Sequence, residues 1–171
     1  MKTRNILLTL VFALFTAAAA AEGSHSGGQG HDDLAIGEPG QAGKVSRTIR
    51  VDMADTMRFT PANVSVKQGE TIRFVVRNSG KVKHEFVLGT EKELNEHYEQ
   101  MKKFPDMEHA DSNMVTVAPG QAGEVIWQFT KAGPVEFACL YPGHFGAGMK
   151  GLIKVAGKNV NRKENGHDHT H

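Results

Sequence analysis

The stretch Val135-Glu-Phe137-Ala-Cys139-Leu-Tyr-Pro-Gly-His144-Phe-Gly-Ala-Gly-Met149-Lys-Gly151-Leu-Ile-Lys-Val155 decides how this chain reads. Val135, Phe137 and Cys139 alternate with other residues, the period of a strand, and place the cysteine at the strand's end on its inward face. Gly151 to Val155 reads as a second strand. The segment between them, rich in glycine and holding Pro142, is therefore a loop joining two sheet elements. Its side chains follow the pattern C-x4-H-x4-M.

The same period runs outward along the chain. Ile72, Phe74 and Val76 form one apolar face, and Val125, Trp127 and Phe129 form another. Turn signals separate these runs at Gln68-Gly69-Glu70, Asn78-Ser79-Gly80, Pro119-Gly120-Gln121 and Ala132-Gly133-Pro134. Further strands are expected at Thr48–Met53, Asn63–Val66, Glu85–Leu88 and Val115–Val117. Many short strands with turns between them argue for an antiparallel sandwich or barrel. One segment breaks the pattern. Thr90 and Glu93 make a capping box, Leu94, Tyr98 and Met101 follow at helical spacing, and Phe104-Pro105 closes the run. A helix over 91–103, inserted between two strands, is expected.

The termini read differently. Lys2 and Arg4 precede an apolar run from Ile6 to Thr16 and a small-residue cleavage site at Ala19-x-Ala21, so 1–21 reads as a signal peptide. A membrane anchor fits less well, because the apolar run is short for a bilayer. No later segment is long and apolar enough to span a membrane. Export to the periplasm and a mature chain without a membrane span are therefore expected. Residues 22–44 read as a flexible leader carrying His25 and His31, 45–157 as the folded domain, and 158–171 as a disordered His-rich tail.

The 171 residues carry 20 basic and 19 acidic side chains, which gives no reason to expect a nucleic-acid footprint. The single cysteine, Cys139, cannot form an internal disulfide and excludes a structural zinc site needing two thiolates. In an oxidising compartment a lone thiol must be buried, paired between chains or coordinated.

Cys139, His144 and Met149 share one loop, and His84 begins a strand far upstream. One thiolate, two imidazoles and one thioether form the ligand set of a type 1 copper centre. Soft sulfur favours Cu(I), imidazole suits both oxidation states, and one fixed geometry limits reorganisation during electron transfer. The bland alternative is a buried small hydrophobe at Cys139 with a satisfied sheet histidine at His84. A Cys139–His144 nucleophilic pair is the enzyme alternative, but it lacks an orienting third residue and an oxyanion-hole signature. A dinuclear copper site would need a second cysteine, and a multicopper oxidase many more histidines.

The run Met57-Arg-Phe59-Thr-Pro61-Ala-Asn-Val64-Ser-Val66-Lys-Gln-Gly69-Glu-Thr-Ile72-Arg-Phe74 resembles the opening strands of the plastocyanin/azurin-like cupredoxins. Asn78 with His84-Glu85-Phe86 is similar to that family's first-histidine strand, and Cys139, His144 and Met149 to its ligand loop. The resemblance covers about residues 45–157. It implies an all-β Greek-key antiparallel sandwich with one inserted helix. It also implies one copper held by His84, Cys139, His144 and Met149, with outer-sphere one-electron transfer and no enzymatic activity. The four residues between Cys139 and His144 are more like the rusticyanin and auracyanin branches than plastocyanins. The helix and the His-bearing tails resemble periplasmic cupredoxins of bacterial copper-tolerance systems, where buffering or passing copper is the alternative role.

Pro142, Phe145 and Ala147 around His144 form an expected docking patch for a redox partner protein, with the chain a monomer. A second, softer copper site is conceivable among His97, Met101, Met107, His109 and Met114, with Met53 and Met57 near the first strand. Met101 reads better as core, and Met107 and His109 are the better candidates. His167, His169 and His171, with His25 and His31, either gather Cu(II) loosely or are simply solvated.

Overall fold

The computed structural model describes residues 35–105 and 110–158. The expected signal peptide (1–21), leader residues 22–34, Met107, His109 and the tail beyond Lys158 lie outside the described residues. Strand β5 (Thr71–Asn78) shows why the fold forms. Its alternate residues Ile72, Phe74 and Val76 are fully buried, while Arg73 and Val75 on the other face are only half-buried. Neighbours β2 (Arg47–Ala54) and β8 (Ala122–Gln128) flank it, and β1 (Glu38–Pro39) and β3 (Arg58–Thr60) close the edges, in the order β1-β8-β5-β2-β3. The second sheet runs β4-β10-β9-β6-β7, from β4 (Asn63–Lys67), β10 (Lys150–Ala156), β9 (Gly133–Ala138), β6 (His84–Gly89) and β7 (Met114–Val117).

The two sheets face each other across an aromatic core. Phe59 of β3 meets Phe137 of β9 edge-on at 5.0 Å, and Phe74 of β5 meets Phe86 of β6 at 5.3 Å. Each such pair contributes about 0.5–1.5 kcal/mol beyond the burial of its rings. The sandwich is as the alternation implies, with one refinement. Most neighbouring strands run antiparallel, but β2 pairs with β5, and β4 with β10, in parallel. Parallel partners cannot be joined by a hairpin and need a crossover. The chain supplies one by passing through β4, in the opposite sheet, between β3 and β5.

Helix α1 (Glu91–Lys103) forms where its capping box places it: the Thr90 side chain accepts from the Glu93 amide, and Glu93 accepts from the Thr90 amide at 2.7 Å. Its apolar face lies on the outside of the second sheet, where Leu94 and Met101 pack with Val87, Met114, Ala138 and Leu140. That cover explains β6, every residue of which is buried. Phe86 and Leu88 face the sandwich core, and Val87 faces the helix. A strand covered on both sides loses its polar alternation.

The leader expectation needs correcting over its last ten residues. Ile36 is buried in the main core, its carbonyl accepts from the Trp127 indole at 3.3 Å, and Glu38–Pro39 adds a strand to β8. The short apolar run Leu34-Ala35-Ile36, ended by Gly37 and Pro39, is too brief to show a strand period. The seat of Ile36 exists only once Trp127 is in place.

Candidate metal centre

The candidate ligand residues come from strand ends and one loop at a single end of the sandwich. His84 opens β6 on the same face as Phe86 and Leu88, so strand parity turns it into the core, and it is 0% exposed. Cys139 follows β9 on the face of Val135 and Phe137 and is likewise buried. Its Sγ lies 3.3 Å from His144 Nδ1 and 3.9 Å from His84 Nδ1. One ligand atom from each of these residues lies within 4.8 Å of the others. Met149, also fully buried, joins the same core cluster as Cys139. Among the described residues, no other group of three His, Cys or acidic side chains converges in this way.

The loop is shaped by its own backbone. His144 N–H donates to the Tyr141 carbonyl at 3.0 Å, Met149 N–H to the His144 carbonyl at 3.1 Å, and Cys139 N–H to the Met149 carbonyl at 3.1 Å. The last bond ties the first and third candidate ligands together. Gly143 and Gly148 take φ of 88° and 86°, left-handed values that side-chain-bearing residues rarely adopt. From outside, the Tyr98 ring of α1 packs on Phe145 with centroids 4.9 Å apart. The inserted helix thus braces the ligand loop as well as covering β6.

Burial governs the electrostatics. It pushes the metal-free Cys139 thiol up to about 12, against opposing hydrogen bonds from the Glu85 and Tyr141 amides. The Glu85 amide points at Sγ from 3.4 Å. Those amides are placed to stabilise a thiolate once a cation replaces the proton. Burial, and then the neighbouring His84, hold the His144 imidazole below its ordinary range, which favours the neutral ligating form. His144 differs from His84 in being only half-buried.

One residue escaped the sequence reading. Asp55, at the tip of the β2–β3 hairpin, places Oδ1 3.2 Å from His84 Nε2. The same carboxylate accepts from the Lys81 amide at 2.7 Å, and that bond leads the interactions holding its pKa below the ordinary range. A Cβ at Gly80 would collide with this carboxylate. With Nε2–H donated to Asp55, the His84 ring presents Nδ1 to the centre, the usual arrangement of a metal-ligating histidine and its outer partner. Asn78, fully buried, shapes the same loop by donating to the Val82 and Val117 carbonyls at 2.8 and 2.9 Å.

The better candidates for the softer site, Met107 and His109, lie outside the described residues, and its methionines within them are placed as follows. Met53 and Met101 are core, Met114 packs beneath the helix, and Met57 leans on the main core. The donor set at Cys139 does fit copper. It offers one soft sulfur anion and two imidazoles in a buried pocket, with a thioether in the same cluster.

Known proteins point the same way. The family described as copper binding proteins, plastocyanin/azurin family, matches residues 45–156. The Rubrivivax gelatinosus protein named copper-resistant cuproprotein CopI is 52% identical over 164 residues, covering 91% of this chain and 99% of that protein. The Pseudomonas aeruginosa protein of the same name is 38% identical, covering 86% and 93%. Among solved structures, a reduced auracyanin from Roseiflexus castenholzii superposes with a TM-score of 0.56 at 22% identity, covering 66% of this chain and 98% of that one. Auracyanin B gives 0.54 at 21% identity, covering 73% and 95%. These structural likenesses speak for the fold alone. With the sandwich, the convergent thiol and imidazoles and the family match together, this chain belongs to the plastocyanin/azurin family of copper-binding proteins, the cupredoxins.

Proposed function

We propose that the chain is an exported type 1 copper protein that carries one electron at a time in the periplasm, as a monomer. His84 Nδ1, Cys139 Sγ and His144 Nδ1 hold the metal, and the Met149 thioether is the weak fourth donor. The observation that carries this reading is the convergence of a buried thiol and two imidazoles within 4.8 Å, with an amide aimed at the sulfur. Copper bound there supplies a Cu(II)/Cu(I) couple. The protein's part is to keep the ligands in one arrangement for both states, exclude water with β6 and α1, and present the His144 edge outward as the electron's exit. A redox partner protein docks at that edge, over Pro142 and Ala147.

The decisive test is the visible spectrum of the copper-loaded protein beside Cys139→Ala. A thiolate-to-copper band present in the first and absent in the second is expected; its persistence without Cys139 overturns the assignment. Copper tolerance is the second reading, favoured by two relatives at 52% and 38% identity whose name is copper-resistant cuproprotein. In that role the protein buffers or passes copper and redox cycling is secondary. Copper-sensitive growth on deletion, restored by the wild type but not by His84→Ala, supports tolerance. Unchanged growth under copper stress removes it.

A further inference from the structure

The hairpin joining β2 to β3 is short and carries one strained residue. Ala54 pairs with Arg58 across it, which leaves Asp55, Thr56 and Met57 as the loop. The Met57 amide donates back to the Ala54 carbonyl at 3.0 Å, and Met57 takes φ of 57°. Three-residue hairpins of this kind close on a left-handed third residue, ordinarily glycine. Methionine there is strained, and among the described residues no other side-chain-bearing residue has a positive φ. What a glycine would lack is the side chain, which packs half-buried against the main core. The hairpin tip is thereby seated on the sandwich.

This seat matters because the hairpin reaches both halves of the metal centre. Asp55, the first loop residue, holds the far nitrogen of His84. Arg58, directly after the loop, reaches the other half. Its Nη1 donates to the Met57 carbonyl at 2.7 Å and to the Ala147 carbonyl at 2.9 Å. The same guanidinium rests against Gly148, where a Cβ would lie 3.5 Å from Nη1. Ala147 and Gly148 directly precede Met149. The amides of His144, Ala147, Gly148 and Met149 donate to the Tyr141, Gly143, Phe145 and His144 carbonyls, all within the loop. The Ala147 carbonyl instead receives its bond from a side chain 89 residues away. That donor is charged, and bonds from charged donors are stronger than neutral ones.

We propose that Arg58 is a positioning residue of the metal centre: it fastens the Ala147 carbonyl to the core-seated hairpin and so holds the loop from His144 to Met149 in the arrangement that receives the ion. With Asp55, it makes one hairpin the brace of both halves of the centre. Supporting residues that fix the orientation of ligands raise a site's hold on its metal. The part toward copper rests on the reading above, whereas the tie between hairpin and loop does not.

The test uses the full chain in two arms. In the metal-free protein, amide hydrogen exchange read by NMR should quicken about fivefold at Ala147, Gly148 and Met149 in Arg58→Met, as expected for one lost hydrogen bond of ordinary net strength. Arg58→Gln, polar but too short to reach the loop, should do the same. Arg50→Met, an equal change at an exposed position of β2, should leave these amides as in the wild type. Amides of β5 should exchange at wild-type rates in all three variants. In the copper-loaded protein, release of Cu(II) to excess EDTA is followed through the thiolate band. It should quicken by about the same factor in Arg58→Met and stay unchanged in Arg50→Met. Loop exchange equal to wild type in either Arg58 variant, an equal rise in β5, or unchanged copper release overturns the proposal and leaves the copper assignment standing. A wild-type chain without the band overturns the copper reading and with it the role of Arg58 toward the metal, while the exchange arm still decides the tie.

Discussion

The two histidines of the centre occupy contrasting regions. His84 belongs to a strand buried on both faces, fixed by ladder bonds to β7 and β9, with its far nitrogen against Asp55. His144 belongs to a loop held by a few turn hydrogen bonds and one ring contact with α1, and it is half-buried. Cys139 stands at the junction, between the end of a strand and the start of the loop. One half of the centre is built by the sheet and cannot move without it. The other is built by local backbone and opens to solvent. The electron carrier proposed above, which would hold its metal rigidly and still exchange electrons through an edge, needs both.

The sharpest way to break this contrast is at the junction. Cys139→Ala should abolish the thiolate band altogether. It should also remove the proton release that accompanies Cu(II) uptake by the wild type. The metal-free thiol, pushed up to about 12, is protonated at neutral pH and must lose its proton to solvent as the metal binds. Apparent affinity for Cu(II) should therefore rise about tenfold per pH unit near neutrality, read by competition with a chelator; a flat profile would refute a protonated resting thiol.

The next test compares the histidines directly. Removing the half-exposed ring in His144→Gly should leave a gap that added imidazole fills, restoring the band. His84→Gly, inside a buried strand, should not respond. Equal rescue of the two variants would erase the distinction. A smaller effect is expected at Asp55. Asp55→Asn should lower Cu(II) affinity about 10-fold by weakening the outer hydrogen bond on His84, with Asp55→Glu recovering part of it. Affinity equal to wild type in Asp55→Asn would show that the ladder alone orients the ring.

The loop half should respond to its brace. Tyr98→Ala removes the ring packed on Phe145, about 1 kcal/mol, and should broaden the spectroscopic signature of the copper-bound loop more than it lowers overall stability. The smallest change is Thr90→Ala, which loses the helix cap. It should destabilise the protein by about 1 kcal/mol in denaturant unfolding while leaving the band's position unchanged.

Much of this contrast is already legible along the chain. Cys139, His144 and Met149 lie close in sequence, and their chemistry is recognisable without knowing the fold. Strand parity then turned Cys139 inward and aligned His84 with Phe86. The helix was legible because a capping box is a local hydrogen-bond device between residues three apart, Thr90 and Glu93. Asp55 was not legible. It stands 29 residues from His84, and nothing in Asp55-Thr-Met57 marks it as more than a turn. Ile36 was missed for a similar reason, since its pocket is made by Trp127, 91 residues away.

The residue types of the centre, the alternation that makes two facing sheets, and the helix Glu91–Lys103 are all written along the chain. These depend on interactions between near neighbours or on the chemistry of single side chains. Which strands pair in parallel, the burial of β6's outer face by α1, and the reach of Asp55 to His84 are settled by the closed fold. Those outcomes depend on contacts between segments far apart in the chain, whose partners exist only after the sandwich has closed.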